Sequence, residues 1–244
     1  MIFILLPVYN EEDNLPTLLE RLDKEMRKIG FSYRVIAYDD GSKDTSLAIL
    51  NKYQESMPIT VIGKEKNKGL GVALDSLLKK TLEMSLGKED IAVLLDSDDT
   101  HNPEHIYSMA NKLQEGFDVV IASRYLPGSS VVGVTWFRQL FSIVASLLMR
   151  VLFPIKGVKD YTCGYRGYSI NCLAKAYAKF GECLIEEDSF ACMAELIIKL
   201  RSINLRAVEI PITLRYDQKY GKSKMNVVKT IQRTLLILYK LRRI

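Results

Sequence analysis

Short apolar segments alternate with helical patterns through the first half of the chain, and this alternation limits the fold more than any other feature. Strands that alternate with helices indicate a mostly parallel sheet with helices on both faces. A chain of 244 residues, 48% of them hydrophobic, is long enough to bury such a core in one domain. We therefore predict an α/β fold. The predicted strands lie at 2–6, 34–38, 59–62, 91–95, 118–122 and 205–214.

Polar loops follow three of these strands, at 7–12, 39–42 and 96–99. Parallel strands bring the loops at their carboxyl ends to one edge of a sheet, and open α/β sheets bind their ligands at that edge. No GxGxxG motif follows the first strand, and Gly69-Leu70-Gly71 is too short to form one, which argues against the usual dinucleotide fold. The sequence therefore predicts a ligand site of another kind.

The loop Asp96-Ser97-Asp98-Asp99 places three carboxylates directly after a fully apolar strand. Clustered carboxylates repel one another, and a divalent cation held against phosphate oxygens would offset that repulsion. Magnesium-type ions are typically bound by one or two carboxylates together with substrate phosphates. The alternative is a solvated Asp-rich turn that caps the following helix, because Asp and Thr both suit a helix N-cap.

The segment 134–153 is mostly apolar, but its polar residues recur every three or four positions and so form one stripe on a helix. Two Arg and one Gln would be costly in the core of a bilayer. We therefore predict a helix that lies in the membrane interface. An ordinary helix that faces the protein core is the alternative. The polar residues of the stripe are Thr135, Arg138, Gln139, Ser142, Ser146 and Arg150.

The C-terminal end is strongly basic. Residues 215–244 contain nine Lys or Arg and one acid, so their net charge is +8, whereas the whole chain has +5 and its remainder therefore −3. Such an asymmetry indicates an anionic partner, which could be a membrane surface, a phosphate ligand or a nucleic acid. The segment 225–244 is predicted to be a separate basic amphipathic helix after a domain at 1–224. The four cysteines lack CxxC spacing, so a zinc site is not expected and the thiols should be reduced.

Five motifs occur in an order that resembles the family 2 glycosyltransferases of the GT-A fold. Within that family the chain is most similar to the polyprenyl-phosphate sugar transferases, the branch that includes the dolichol-phosphate mannose synthases. Asp160, Thr162, Gly164 and Arg166 match the same branch, as does the helix with Arg138 and Ser142. The five motifs are Pro7-Val8-Tyr9-Asn10-Glu11, Asp39-Asp40-Gly41-Ser42, Asp96-Ser97-Asp98, Ser123-Arg124-Tyr125 and Gly221-Lys222-Ser223-Lys224.

This resemblance implies a Rossmann-like GT-A sheet with amphipathic membrane-interface helices. It implies transfer of a sugar from a nucleotide-sugar to a polyprenyl or dolichyl phosphate, with GDP-mannose favoured over UDP-glucose as the donor. The reaction would invert the configuration at the anomeric carbon of the sugar and would depend on Mg²⁺ or Mn²⁺. The protein would be peripheral, on the cytoplasmic face of the membrane. Its partners would be the donor, the acceptor, the membrane surface and a small membrane-anchoring subunit, but no nucleic acid.

The resemblance also assigns roles to matching residues. Thr100 stands where the synthases often have Gln, and Gln218 stands where an Arg is common in the basic loop. Asp160 either orients the acceptor or sugar directly or caps its own loop. The nucleotide-sugar set is Pro7, Tyr9, Glu11, Asp39, Asp96, Ser97 and Lys224, the metal ligands are Asp98 and Asp96, the acceptor-phosphate set is Arg138 and Ser142, and the catalytic set is Asp98, Asp160 and Arg124.

Two other functions stay open. One is a soluble family 2 transferase that glycosylates a sugar hydroxyl, for which Glu187 or Asp188 could act as the base. The amphipathic helix at 134–153 argues against it. The other is a catalytically silent nucleotide-binding subunit, against which the intact Asp96 and Asp98 argue. A lipid monophosphate needs no strong base, because its second pKa is about 6 and it is already largely dianionic at neutral pH.

Overall fold

A computed structural model describes residues 1–218, 220–221 and 227–242. Strands and helices alternate through the first half of the chain, as predicted. The strands are β1 Ile2–Val8, β2 Tyr33–Asp40, β3 Ile59–Lys64, β4 Ile91–Leu94, β5 Val119–Ser123, β6 Ser130–Val132, β7 Arg166–Ser169, β8 Ala207–Pro211 and β9 Thr213–Arg215. The helices are α1 Leu15–Ile29, α2 Ser46–Tyr53, α3 Leu70–Met84, α4 His105–Gln114, α5 Trp136–Leu152, α6 Ile170–Phe180, α7 Cys192–Arg201 and α8 Val227–Leu241.

Seven strands form one sheet in the order β3-β2-β1-β4-β7-β5-β8. All neighbouring pairs are parallel except those of β7, which is antiparallel to both β4 and β5. The mostly parallel α/β sheet predicted from the alternation is therefore confirmed. β1 lies inside the sheet between two parallel partners, and its residues Ile4, Leu5 and Leu6 are fully buried, as a strand covered on both faces requires.

The helices bury one apolar face against this sheet. In α1, the buried residues recur at positions i, i+3, i+4, i+7 and i+11, which places them on one side of the helix. They are Leu15, Leu18, Leu19, Leu22 and Met26. The helix ends at Gly30, whose φ of 74° lies in the left-handed region and whose N–H donates to the carbonyl of Met26.

Two elements differ from the sequence prediction. Strand β7 lies between β4 and β5 and is not among the strands predicted from the sequence. The single strand predicted at 205–214 is wrong, because it divides into β8 and β9 on either side of Ile212. The carbonyl of Ile212 accepts the N–H of Ser130, and the chain passes there from the large sheet to a two-stranded sheet of β6 and β9.

Candidate functional site

The three polar loops meet at one edge of the sheet. Ser97 Oγ donates to the carbonyl of Pro7 at 2.8 Å, which joins the loop after β4 to the loop after β1. The N–H of Asn10 donates to Ser42 Oγ at 2.9 Å, and the N–H of Glu11 donates to Ser46 Oγ at 2.8 Å. These contacts join the β1 loop to the β2 loop, so the convergence expected from parallel strands is present.

Asp39 carries an unsatisfied buried oxygen at this edge. Its Oδ2 accepts the N–H of Ser42 at 3.2 Å, whereas its Oδ1 is buried and has no hydrogen-bond partner in the described part of the chain. A buried acceptor without a donor is destabilising. A ligand hydroxyl or N–H would remove that cost, which agrees with the nucleotide-binding role that the resemblance implies for Asp39.

Asn14 connects Glu11 to the chain segment near the basic loop. Its Nδ2 donates to Glu11 Oε2 at 2.7 Å and to the carbonyl of Tyr220 at 3.2 Å, and its Oδ1 accepts the N–H of Tyr220 at 3.0 Å. Residues 220–221 therefore lie beside the β1 loop. Lys224, assigned to the donor phosphates, lies outside the described residues, as do Lys222 and Ser223.

The three carboxylates of the acidic loop have different environments. Asp99 forms an ion pair with Arg21 at 2.6 Å, and its φ of 57° lies in the left-handed region that Asp tolerates. Asp98 Oδ1 accepts both the N–H of Thr100 at 3.2 Å and its hydroxyl at 2.7 Å. The Asp96 side chain remains about one-third exposed, at 35%. Asp99 is thus neutralised by Arg21, and Asp96 and Asp98 are the two carboxylates that the resemblance assigns to the metal.

The fit of a divalent cation rests on these last two carboxylates. Within the described ranges, no group of three or more His, Cys, Asp or Glu side chains is arranged to hold a metal ion. Two carboxylates agree with Mg²⁺ or Mn²⁺ bound jointly by protein and substrate phosphates. The pKa of Tyr216 is raised by burial and then by the charges of Asp96 and Asp98, so both carboxylates act on the same small volume. Thr100 orients Asp98 through its two hydrogen bonds.

His101 supports this loop from behind. It is 3% exposed, its Nδ1 accepts the N–H of Asp96 at 3.0 Å, and its ring stacks on Tyr165 at a centroid distance of 4.9 Å. Tyr165 in turn donates its hydroxyl to the carbonyl of Asn102 at 2.9 Å. These contacts fix the backbone at the first carboxylate of the acidic loop.

Arg124 and Asp160 form a buried bidentate pair. Arg124 Nε lies 2.8 Å from Asp160 Oδ2 and Nη2 lies 2.6 Å from Oδ1, while Nη2 also donates to Thr162 Oγ1 at 2.6 Å. Burial alone would raise the pKa of Asp160, but the charge and hydrogen bonds of Arg124 outweigh it, so the pKa is lowered. Asp160 is fully buried and contacts Arg124, so it positions that guanidinium. A direct contact of Asp160 with substrate stays a prediction.

Helix α5 turns Ser142 and Ser146 of its polar stripe inward and its apolar face outward, while Thr135 and Arg150, at the two ends of the stripe, are exposed. Ser146 is 3% exposed and its hydroxyl donates to the carbonyl of Lys159, and Met149 is fully buried beside it. In the described part of the chain, no helix is long and apolar enough to cross a membrane. Large apolar side chains cover the outer face. They are Trp136, Phe137, Leu140, Phe141, Ile143, Val144, Leu147, Leu148, Val151 and Leu152, each 37% to 71% exposed.

Tyr125 connects α5 to the buried pair. Its hydroxyl lies 2.8 Å from the hydroxyl of Ser142, and the guanidinium of the adjacent Arg124 lies 5.5 Å from its ring centroid. Two residues that the resemblance assigns to the site, Arg124 and Ser142, are thereby brought together. Arg138 lies one helical turn before Ser142 in α5. Tyr125 has no role assigned by the resemblance, although it adjoins Arg124 in one of the matched motifs.

Helix α8 packs against α5 and α7 and extends the exposed apolar surface. Its residues Leu235, Leu236 and Tyr239 are 51%, 59% and 63% exposed, while Ile237 and Leu238 are buried.

The acidic segment that could hold a hydroxyl-activating base lies near the same edge. Arg233 of α8 lies 3.5 Å from Glu187 and 3.7 Å from Asp188. Glu187 Oε1 also accepts the N–H of Ser189 at 3.1 Å. A Cβ at Gly71 would come within 1.7 Å of the carbonyl oxygen of Glu187, so the glycine permits this close packing. Both carboxylates therefore have a cation nearby.

The fold is that of known sugar transferases. The crystal structure of glucosyl-3-phosphoglycerate synthase from Mycobacterium tuberculosis, in complex with Mn²⁺, UDP and phosphoglyceric acid, superposes with a TM-score of 0.69 at 17% identity. The alignment covers 100% of this chain and 79% of that chain. The same enzyme in complex with Mg²⁺ and UDP gives a TM-score of 0.67. At this identity the likeness establishes the GT-A fold alone.

Residues 3–174 match glycosyl transferase family 2, and the chain belongs to that family. It is 29% identical over 239 residues to a dolichol-phosphate mannosyltransferase of Pyrococcus furiosus. That alignment covers 98% of this chain and 62% of the length of that protein. It is also 29% identical over 227 residues to a polyprenol monophosphomannose synthase of Mycolicibacterium smegmatis, across 80% of that protein. A third relative is the undecaprenyl-phosphate 4-deoxy-4-formamido-L-arabinose transferase of Klebsiella pneumoniae, 29% identical over 232 residues.

Proposed function

We propose that the protein transfers a sugar from a nucleotide-sugar to a polyprenyl phosphate at the cytoplasmic surface of a membrane, with inversion at the sugar carbon. GDP-mannose is the favoured donor, because two of the relatives are named for mannose transfer. The observation that carries the proposal is the Ser142–Tyr125 contact beside Arg124. Helix α5 exposes an apolar face, and this contact connects its polar side to the edge of the sheet that holds the acidic loop.

The donor would occupy the edge formed by the β1, β2 and β4 loops. Pro7, Tyr9, Glu11 and Asp39 would contact the base and ribose. Asp96 and Asp98 would hold Mg²⁺ or Mn²⁺ against the diphosphate, and such an ion neutralises the charge that grows on the leaving group. Ser97 holds the β1 loop in place through the carbonyl of Pro7. Lys224 would add a further positive charge near the same phosphates.

The acceptor phosphate would approach along α5. A lipid monophosphate lying at the membrane surface can reach the inner side of this helix without leaving the interface. Arg138 and Ser142 are four residues apart and so share one helical face. Arg124 is held rigidly by Asp160, and its Nη1 has no acceptor in the part of the chain that the structure describes. That nitrogen is available to a phosphate oxygen.

In domain terms, we propose a transferase domain at 1–224, with α5 as its interface helix, followed by a basic interface helix at 225–244. A small membrane-anchoring subunit would bind the same exposed surface of α5 and α8. The +8 charge of residues 215–244 would draw this end to anionic headgroups.

We expect peripheral membrane association. Alkaline carbonate or high salt should release most of the protein from isolated membranes, because the apolar faces of α5 and α8 would enter the interface without crossing it. Immunoblotting of the supernatant and pellet measures the release, with an integral membrane protein of the same membranes as the retained control. Extraction by detergent alone would contradict a purely peripheral attachment.

Arg138→Ala should raise the KM for polyprenyl phosphate far more than the KM for nucleotide-sugar. The planar guanidinium can bind two phosphate oxygens at once, so Arg138→Lys should restore the acceptor KM only in part. Steady-state kinetics with each substrate varied separately measure both constants. Arg242→Ala removes an equal charge directly after α8 and is the matched control. An unchanged acceptor KM in folded, membrane-bound Arg138→Ala would place the acceptor site elsewhere.

A screen of radiolabelled nucleotide-sugars tests the proposed function. GDP-mannose and UDP-glucose are each incubated with polyprenyl phosphate and with Mg²⁺, Mn²⁺ or EDTA. Label should enter the organic phase with one donor, only when polyprenyl phosphate and a divalent ion are both present. Label that moves instead to a soluble sugar acceptor would support the hydroxyl-glycosylating alternative, and no transfer with any donor would support the silent-subunit alternative.

A further inference from the structure

A cavity of about 610 Å³ opens beside the C-terminal half of α5, away from the acidic loop. It is lined by α5, by the segment that follows it and by β8. A cavity of this size falls in the range that accommodates small organic ligands. The lining residues that matter here are Leu147, Arg150 and Val151 of α5, Lys159 of the following segment, and Val208 and Glu209 of β8.

The charge of the cavity is positive. Arg150 and Lys159 are both exposed, and neither forms an ion pair or a side-chain hydrogen bond within the described ranges. Glu209 is buried, and its Oε1 accepts the N–H groups of Lys159 and Asp160 at 2.5 and 2.6 Å. Its Oε2 is buried and has no hydrogen-bond partner within the same ranges, so Glu209 keeps one uncommitted oxygen at the cavity. Arg150 and Lys159 still outnumber this single carboxylate among the lining residues, which leaves an excess of positive charge to face an anion.

The mouth of the cavity is continuous with the exposed apolar face of α5. Leu147, Arg150 and Val151 lie three and four positions apart and so share one side of the helix. Leu147 is 56% exposed and Val151 is 71% exposed. A ligand bound there would meet cations at one end and an apolar surface at the other, which is the chemistry of a phospholipid with an anionic headgroup.

This position is distinct from the acceptor site. Arg150 follows Ser142 by eight residues, which corresponds to about 12 Å along an α-helix. A phosphate held by Arg150 would therefore not reach the Ser142–Tyr125 contact. On the protein side, Asp160 lies between the two regions, since its side chain binds Arg124 and its N–H donates to Glu209.

We infer that this cavity binds the headgroup phosphate of an anionic bilayer phospholipid, whose acyl chains run along Leu147 and Val151. Arg150 and Lys159 supply the charged donors, and Arg is well suited to two phosphate oxygens. The bound phospholipid would fix the depth and rotation of α5 at the membrane surface. The site is independent of the transfer reaction, so its occupancy can be measured whether or not the proposed function holds.

Calorimetric titration of the full chain with dihexanoyl phosphatidylglycerol, below its micelle concentration, tests the site. Dihexanoyl phosphatidylcholine and inorganic phosphate are the comparison ligands. The anionic lipid should bind more tightly than either, because phosphatidylcholine lacks the net charge and phosphate lacks the apolar chains. Inorganic phosphate binding as tightly as the lipid would overturn the proposal in favour of a simple anion site.

The variant Arg150→Gln/Lys159→Gln should bind the anionic lipid about 10- to 100-fold more weakly, since two charged hydrogen-bond donors are lost. The matched control Lys156→Gln/Lys240→Gln removes the same charge outside the cavity and should bind normally. The exchange Arg150→Lys/Lys159→Arg keeps both charges and should retain most of the affinity for the anionic lipid. Retained affinity would show that substitution at these two positions does not by itself unfold the protein. If both Gln double variants bound the anionic lipid equally weakly, general surface charge would explain the binding and the proposed site would be wrong.

Transfer kinetics in neutral detergent separate this site from the acceptor site. In Arg150→Gln/Lys159→Gln, the KM for polyprenyl phosphate should stay unchanged, because the acceptor phosphate would bind near Ser142. A rise in that KM as large as the loss of phospholipid affinity would assign the cavity to the acceptor and contradict the inference.

Discussion

Asp98→Asn should lower sugar transfer by orders of magnitude while leaving the fold intact. Asn keeps the shape of the side chain and can still accept the two hydrogen bonds from Thr100, while the negative charge is removed. Metal stabilisation of a leaving group is worth several kcal/mol, and each ~1.4 kcal/mol corresponds to about tenfold in rate. Initial rates at saturating donor, polyprenyl phosphate and Mg²⁺ or Mn²⁺ measure the loss.

Asp99→Asn is the matched control for this experiment. It removes a carboxylate from the same loop, but one that is already neutralised by Arg21, and Asn tolerates the left-handed backbone at that position. Its transfer rate should stay within a few-fold of the wild-type rate. Near-normal turnover of Asp98→Asn in the presence of EDTA would show that no metal acts through Asp98.

Asp160→Ala should destabilise the protein by about 3–5 kcal/mol, because it leaves Arg124 buried without its counter-charge. The Asp160 side chain is 0% exposed and that of Arg124 is 18% exposed, so water cannot replace the carboxylate easily. Three backbone N–H groups, those of Arg124, Thr162 and Cys163, would also lose their acceptor. Denaturant unfolding at neutral pH measures the change.

Asp217→Ala is the control for the buried pair. Arg215 and Asp217 form the same kind of bidentate ion pair, at 2.7–2.8 Å, but on the surface with both side chains exposed. Exposed ion pairs contribute little, so the free energy of unfolding should hardly change. Equal losses in the two variants would mean that the Arg124–Asp160 pair carries no special weight in the fold.

The lowered pKa of Asp160 leads to a prediction of how the free energy of unfolding depends on pH. The folded pKa of Asp160 lies below the ordinary value of 3.8, so its contribution is fully present above that value and is lost as pH falls through the folded pKa. The difference in unfolding free energy between wild type and Asp160→Asn should therefore be constant at neutral pH and should shrink in strong acid. A difference that grew as pH fell below 3.8 would contradict the lowered pKa.

Much of the donor edge could be predicted because it depends on strand order alone. Parallel strands that end in 7–12, 39–42 and 96–99 must bring those loops together, and the hydrogen bonds from Ser97 and Asn10 show that they do. The polar stripe of α5 was also predictable, since a period of three to four residues places it on one face whichever way that face turns.

Features that depend on tertiary packing could not be predicted. β7 has four residues, Arg-Gly-Tyr-Ser, with no apolar run and no alternation to distinguish it from a loop. It forms because β4 and β5 each pair with it, and without β7 their facing edges would have no hydrogen-bonding partner. Likewise, nothing local in the sequence shows that Asp160 is buried against Arg124, because the two residues are 36 positions apart. The inward orientation of Ser142 and Ser146 in α5 follows from their hydroxyl contacts, which no periodicity specifies.

Mass spectrometry of the lipid product tests most directly whether the acceptor is a lipid phosphate. The purified chain is incubated with nucleotide-sugar and Mg²⁺ or Mn²⁺, together with either polyprenyl phosphate or the corresponding polyprenol. The proposed function predicts that polyprenyl phosphate gains the mass of one sugar residue and that polyprenol, which lacks the phosphate, gains nothing. The proposal would be contradicted if nucleoside diphosphate were released and the sugar were found on polyprenol or on a soluble hydroxyl acceptor, while polyprenyl phosphate gained no sugar.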